Sequence, residues 1–252
     1  MTSHYPHPEL LAESDWLAEH LDDPSVRIVD CDELPAYQRL HIQDAVGLRV
    51  HHYLKADPSA APGEALRAGG GSASGPEVGV HLMPPEQFAR VMSAHGIGDE
   101  HTVVAYDGSG GLYAARLWWA LDYYGHTACK VLNGGFHKWF REGRPVTEQA
   151  PHVERASFQV RPGSDCLCSI DEMREATERE DVVIWDVRSR GEYTGEDPRQ
   201  NKRGGHIPGA VHLEWLELLA PPARSGLLLP ADEIRRKLEA LGITPEKKVY
   251  TH

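Results

Sequence analysis

"VVIWDVRSRGEYTGEDPRQNKRGGHIPGAVHL", residues 182–213, has an earlier counterpart in the same chain, "VRIVDCDELPAYQRLHIQDAVGL", residues 26–48. Each is an apolar run ending in aspartate (Asp30, Asp186), then a charged stretch with one tyrosine (Tyr37, Tyr193), then a His-Ile and an Ala-Val pair. Self-similarity of this kind is the first thing to establish, because it fixes how many units the chain builds. A second match extends it: "FARVMSAHGIGDEHTVVAYD" from Phe88 and "IRRKLEALGITPEKKVYTH" from Ile234 each read as an amphipathic helix, a Gly-Ile stop and a strand. Setting Gly96 on Gly242 places Val103 on Val249 and Tyr106 on His252. Asp107 then falls opposite the position that follows His252.

Strands alternating with helices predict an α/β fold in two copies, each a mostly parallel sheet flanked by helices. The expected division is a first domain over residues 1–146, a linker over 147–165 and a second domain over 166–252. Pro145, just before the linker, and Pro151 and Pro162 within it interrupt any periodicity. The first copy continues past Asp107 through "DGSGG", an apolar helix from Leu112, the strand "CKVLNGG" and the helix "FHKWFREG", none of which has a partner later in the chain. On this alignment the second domain is expected to be incomplete, shorter than the first by roughly 35 to 40 residues. The Gly/Ala/Ser/Pro-rich stretch from Asp57 to Pro85 reads as a mobile surface loop of the first domain. Its "AGGGSASG" lacks the Gly-Lys-Ser/Thr that a phosphate-cradling loop needs.

Composition excludes several classes of function. A net charge of -12 opposes a nucleic-acid surface, which needs clustered Lys and Arg. No apolar run approaches the length of a membrane span, and the start "MTSHYPHPELL" is neither basic nor apolar, so a cytoplasmic protein is expected. Four cysteines, Cys31, Cys129, Cys166 and Cys168, are too few for a disulfide scaffold and lack the second pair a zinc site requires. The 15 histidines are scattered without a metal-binding spacing, so neither a metal nor an organic cofactor is expected.

Ligands of parallel α/β sheets collect outside the carboxyl ends of the strands. A loop from such a strand into a helix turns several backbone N–H groups into one concavity, and the helix N-terminus adds partial positive charge. A cysteine placed there becomes a thiolate nucleophile. In the first copy the occupant is Asp107, whose carboxylate suits a helix cap but offers no sulfur, so that copy is expected to be a disabled counterpart of the site. The second copy reaches the same point at His252.

The segments "RGGHIPGAVHLEW" (203–215), "WDVRSRGEYTGE" (185–196), "LNGGFHKW" (132–139) and "AARLWWAL" (114–121) resemble the tandem-domain rhodaneses, the thiosulfate and 3-mercaptopyruvate sulfurtransferases. The resemblance covers nearly the whole chain. It implies two rhodanese-like domains, an inactive first one, and a catalytic cysteine in the second directly after a strand ending like "VYTH". That cysteine takes sulfane sulfur from a small anionic donor as a persulfide and passes it to a thiophilic acceptor such as cyanide. None of the four cysteines present matches the nucleophile, so residues 1–252 alone are expected to be catalytically silent. By the same resemblance Asp186 and Arg188 brace the active loop, together with His252. The bare residues read equally well as a buried ion pair holding the strand end. His206 reads as a residue that fixes its turn and Trp215 as packing. Glu192 stands where some animal members have an arginine that contacts the donor, and a carboxylate facing the pocket there would repel an anion. A monomer is expected, since two pseudo-symmetric domains satisfy each other. Two readings from other classes stand beside this one: a rhodanese-like binding or regulatory module without catalysis, and a phosphatase of the cell-cycle type that shares the architecture.

Overall fold

The computed structural model describes residues 5–50, 54, 82–161, 163, 166–199, 201–222 and 225–252. The stretch read as a mobile loop therefore lies almost wholly outside the described residues. Two compact units emerge: Pro6–Leu167 together with residues 224–227, and the remainder from Cys168 onward with the residues up to Tyr5.

The first unit is built on a five-stranded parallel sheet. Its strands are β1 (Leu11–Ala12), β2 (Val26–Asp30), β4 (Val46–Gly47), β5 (Thr102–Tyr106) and β6 (Cys129–Leu132), in the order β1-β6-β5-β2-β4. A separate antiparallel pair joins β3 (His41–Ile42) to β7 (Val146–Thr147). Because side chains alternate across a strand, β2 and β5 feed two cores. Val29, Val103 and Ala105 face Phe88, Met92, Leu117 and Leu121, whereas Ile28, Val104 and Tyr106 face Leu17, Ile42 and Trp139. The helices supplying those partners are α1 (Ser14–Glu19), α3 (Pro85–Ala94), α4 (Leu112–Tyr123) and α5 (Gly135–Arg141), with α2 (Leu34–Arg39) following β2. Phe88 is fully buried, stacked at a tilt on Tyr124 and edge-on to Phe158. Truncating such a ring to alanine costs about 3–5 kcal/mol.

Residues 153–161 lie along this unit. The Asp99 N–H donates to the Ser157 carbonyl, the Arg161 N–H to the Tyr124 carbonyl, and Phe158 is buried. Gly226, although it comes from far along the chain, also packs here: its carbonyl accepts the Gly134 N–H at 3.2 Å.

The second unit carries a three-stranded parallel sheet of β8 (Val182–Asp186), β9 (Val211–His212) and β10 (Lys248–Thr251), ordered β10-β8-β9. Its core is small, with Ile184, Ala176 and Ala210 buried against Met173, Val182, Ile207 and Tyr250. Helices α6 (Ile170–Ala176) and α7 (Arg190–Thr194) both begin with a reciprocal cap, Ser169 with Glu172 and Ser189 with Glu192, and α8 (Ala231–Glu239) precedes β10. Such boxes satisfy two orphan N–H groups at once, which lets a five-residue helix such as α7 persist. At the end of α7, Gly195 has φ of +85°, and a Cβ there would lie 2.9 Å from the Gly205 nitrogen. Only glycine permits that close approach of the 204–205 loop to the helix.

Candidate active site

The two repeats coincide in hydrogen-bond register. Val26 pairs with Thr102 and Asp30 with Tyr106 across β2 and β5, and Val182 pairs with Lys248 and Trp185 with Thr251 across β8 and β10. One step further, the Cys31 N–H donates to the Tyr106 carbonyl at 2.9 Å and the Val187 N–H to the His252 carbonyl at 3.0 Å. On the other flank Asp30 pairs with Gly47, and Asp186 pairs with His212. Tyr37 Oη donates to the Ala45 carbonyl and Tyr193 Oη to the Ala210 carbonyl, each at 3.0 Å. Asp30 is therefore the partner of Asp186, Asp32 of Arg188, Gly47 of His212 and Tyr106 of His252.

In the first repeat the strand end opens into a loop that leads to α4. Asp107, 2% exposed, lies at its start. One carboxylate oxygen accepts the N–H groups of Ser109 and Gly111, the other those of Tyr113 and Ala114, all at 2.8 Å. Four convergent backbone donors at a helix N-terminus form an anion cradle, and here it is filled by the chain's own carboxylate. Asp32 closes the loop from the side, accepting the Gly108 N–H at 2.7 Å.

The surroundings of the strand-end aspartate differ between the copies. Asp30 is buried, accepts the Asp32 N–H at 2.9 Å and receives the Tyr106 hydroxyl. Burial pushes its carboxyl up to about 7; Asp32 and Asp107 add to that rise, and the two hydrogen bonds oppose it. Burial likewise raises Asp32.

Asp186 is fully buried yet titrates the other way. Desolvation pulls its carboxyl up, but the hydrogen bonds and charge of Arg188 outweigh it and leave the carboxyl below its ordinary value. Arg188 grips it with two side-chain bonds, Nε at 3.0 Å and Nη2 at 2.6 Å, and Nη2 also donates to the Gly205 carbonyl at 2.9 Å. That carboxylate in turn raises the guanidinium. His252 Nδ1 lies 3.7 Å from Asp186 Oδ2. The structure thus brings Asp186, Arg188 and His252 together at the end of β8 and β10. Asp107 lies in the other unit.

Glu192 is held by the Ser189 hydroxyl at 2.7 Å and pairs with Arg199 at 3.1 Å. The hydrogen bond from Ser189, more than the Arg199 charge, lowers its carboxyl. His206 bonds the Tyr193 carbonyl through Nδ1 at 2.8 Å and stacks on the Tyr193 ring at 3.8 Å. The Trp215 N–H donates to the Val187 carbonyl at the start of a short 3-10 turn. Cys31 and Cys129 are buried, and burial pushes both thiols up, away from the thiolate a nucleophile needs. Among the described residues no group of three or more His, Cys, Asp or Glu is arranged to hold a metal ion. No described helix is long and apolar enough to cross a membrane. One residue escaped the sequence reading: His212, whose Nε2 lies 2.8 Å from the Arg188 carbonyl. Its signal was the exchange of "AVGL" for "AVHL" between the copies.

A model of the rhodanese-like domain matches residues 13–142 and again residues 169–252. This chain belongs to the tandem rhodanese-like sulfurtransferases. The sulfur carrier protein TtuD of Thermus thermophilus is 31% identical over 261 residues, spanning 98% of this chain and 83% of its own length. The thiosulfate sulfurtransferase of Azotobacter vinelandii is 37% identical over 172 residues, 68% of this chain and 62% of its own length. The SseA protein of Escherichia coli, a 3-mercaptopyruvate sulfotransferase, superposes with a TM-score of 0.78 at 25% identity, covering 96% of this chain and 87% of that one. In this rhodanese-like chain the two matched segments contain the two strand ends compared above, Asp30 with Tyr106 and Asp186 with His252.

Proposed function

We propose that this sulfurtransferase moves sulfane sulfur from thiosulfate, or from 3-mercaptopyruvate, to a thiophile such as cyanide through a cysteine persulfide. The proposed nucleophile is a cysteine at the position following His252, the register equivalent of Asp107. One observation carries the reading: four backbone N–H groups converge on the Asp107 carboxylate in the first repeat, and the second repeat reaches the same point with the same strand pairing. A cradle of four backbone N–H groups that holds a carboxylate equally suits a thiolate or a persulfide anion.

In the proposed first half-reaction the thiolate attacks the outer sulfur of thiosulfate. The S–S bond of the donor breaks, and sulfite leaves with the bonding pair. In the second, the carbon of cyanide attacks the outer sulfur of the persulfide, thiocyanate departs, and the thiolate is regenerated. No net redox partner is needed, and the two steps give ping-pong kinetics. Asp186 and Arg188 brace the strand end from which the loop starts, and Asp186 tethers His252. Glu192 caps α7, and Ser189 and Arg199 compensate its charge, so an anionic donor meets less repulsion there than a free carboxylate would create.

The first repeat lacks sulfur chemistry because Asp107 fills its cradle. We further propose that the protein is a monomer. The assay is thiocyanate formation by the intact protein. Parallel initial-rate lines over varied thiosulfate and cyanide support the persulfide; absence of thiocyanate with both donors overturns it.

A further inference from the structure

Three side chains near the second strand end have no counterpart in the first repeat: Arg188 replaces Asp32, His212 replaces Gly47 and His252 replaces Tyr106. All three are joined. His212 Nε2 contacts the Arg188 carbonyl at 2.8 Å, Arg188 grips Asp186 in two places, and Asp186 faces His252 at 3.7 Å. The chain of contacts crosses the whole sheet, from β9 through β8 to the end of β10.

Packing holds His212 in this role. Its ring stacks on one side of Tyr193 at 4.7 Å, and His206 stacks on that same tyrosine at 3.8 Å. Tyr193 is itself fixed by its bond to the Ala210 carbonyl. In the first repeat the equivalent tyrosine lies where a side chain would have to go, since a Cβ on Gly47 would meet the Tyr37 ring at 2.8 Å. In the second repeat an imidazole stacks on the equivalent tyrosine instead, and its Nε2 reaches the Arg188 carbonyl.

We propose that His212 is a positioning residue for sulfur transfer: by donating Nε2–H to the Arg188 carbonyl it fixes the backbone from which the guanidinium reaches Asp186, and so holds the end of β8 in place beside β10. This rests on the persulfide reading of the second repeat. A donor in that place is what matters, so ring and donor can be separated. His212→Phe keeps a ring to stack on Tyr193 and removes the N–H; His212→Gln keeps an N–H at similar reach and removes the ring.

The first measurement is the Arg188 Nε–H resonance of the intact protein without donor, read as its rate of exchange with water. His212→Phe is expected to speed exchange about fivefold to tenfold, the effect of losing one hydrogen bond, and His212→Gln to stay within about twofold of the parent. Equal exchange in both variants, or a larger effect in His212→Gln, overturns the proposal and leaves ring packing as the residue's role. The second is the rate of persulfide formation in the intact protein. His212→Phe is expected to slow it about fivefold to tenfold, the effect of losing one hydrogen bond at the strand end, and His212→Gln is expected to restore it to within about twofold of the parent. An unchanged rate in His212→Phe overturns the coupling to chemistry. The resonance is read without turnover, so failure of the His212 contact and failure of the persulfide reading register separately.

Discussion

Asp30 and Asp186 end equivalent strands in equivalent register, and their carboxyls titrate in opposite directions. Asp30 faces Asp32, Asp107 and Tyr106, and burial pushes it up to about 7. Asp186 also has its side chain out of water, but Arg188 stands where Asp32 does, and its hydrogen bonds and charge outweigh desolvation and leave the carboxyl below its ordinary value. Backbone alone therefore does not set the chemistry of this strand end. Burial with acidic neighbours raises the first carboxyl, whereas Arg188, standing in place of Asp32, gives the second a cation that holds its charge.

The comparison breaks most visibly under pH. Asp30 shifts from 3.8 to about 7 on folding, so the folded state binds a proton that the unfolded state releases. Stability of the first unit should be fully present below pH 4 from this group and should decline as pH rises to about 7. Roughly 4 kcal/mol is lost across that window. Asp30→Asn should flatten the decline, as measured by denaturant midpoints between pH 4 and 8; an unchanged slope would place the titration elsewhere.

Asp107→Ala is expected to cost about 3 kcal/mol, because four backbone donors lose a charged acceptor and water replaces only part of it. Asp107→Asn, which keeps one oxygen, should cost about half as much. Equilibrium unfolding followed by Trp139 and its neighbours in the first unit reads both. No loss in the alanine variant would mean that the cradle does not need an anion.

For Asp186→Asn the expected cost is about 2 kcal/mol at neutral pH, since Arg188 is then left without its carboxylate. The sign is opposite to that of Asp30. A depressed carboxyl stabilises above the unfolded value of 3.8, and the benefit disappears as pH falls through the lower folded value. Parent and variant curves should therefore converge in acid. Divergence there would contradict the pairing.

The smallest expected effect sharpens the contrast on the other flank. Gly47→Ala forces a Cβ against the Tyr37 ring at 2.8 Å and should destabilise by about 1–2 kcal/mol. Thermal unfolding of this single variant tests whether the first repeat has room for what His212 occupies in the second.

Much of this was legible in the sequence. The two "HI" and "AV" matches give the repeat, and the Gly96 to Gly242 alignment gives the strand register, because strand pairing follows apolar periodicity and glycine stops that are local in the chain. Asp107 as a cap was readable from its place before a glycine-rich turn and an apolar helix. The titration of Asp30 was not, since it depends first on burial and then on Tyr106 and Asp107, about 75 residues away in the chain. The His212 bond to the Arg188 carbonyl was equally hidden, because a backbone acceptor leaves no mark in residue type. Residues 153–161 show no periodicity, yet Phe158 is buried, for its partners Phe88 and His126 come from a helix and a turn rather than a sheet. Whether Glu192 faces a pocket was open in its alignment; its spacing of three from Ser189 carried the signal of a helix cap.

The central claim is that sulfur is carried just beyond His252 and nowhere in the first repeat. Peptide mapping of the intact protein after thiosulfate treatment tests it most directly. The account predicts one added sulfur atom, removable by cyanide, on a cysteine in the peptide that continues from Val249-Tyr250-Thr251-His252. Added sulfur on Cys31, Cys129, Cys166 or Cys168 instead, or on no cysteine at all, would contradict it.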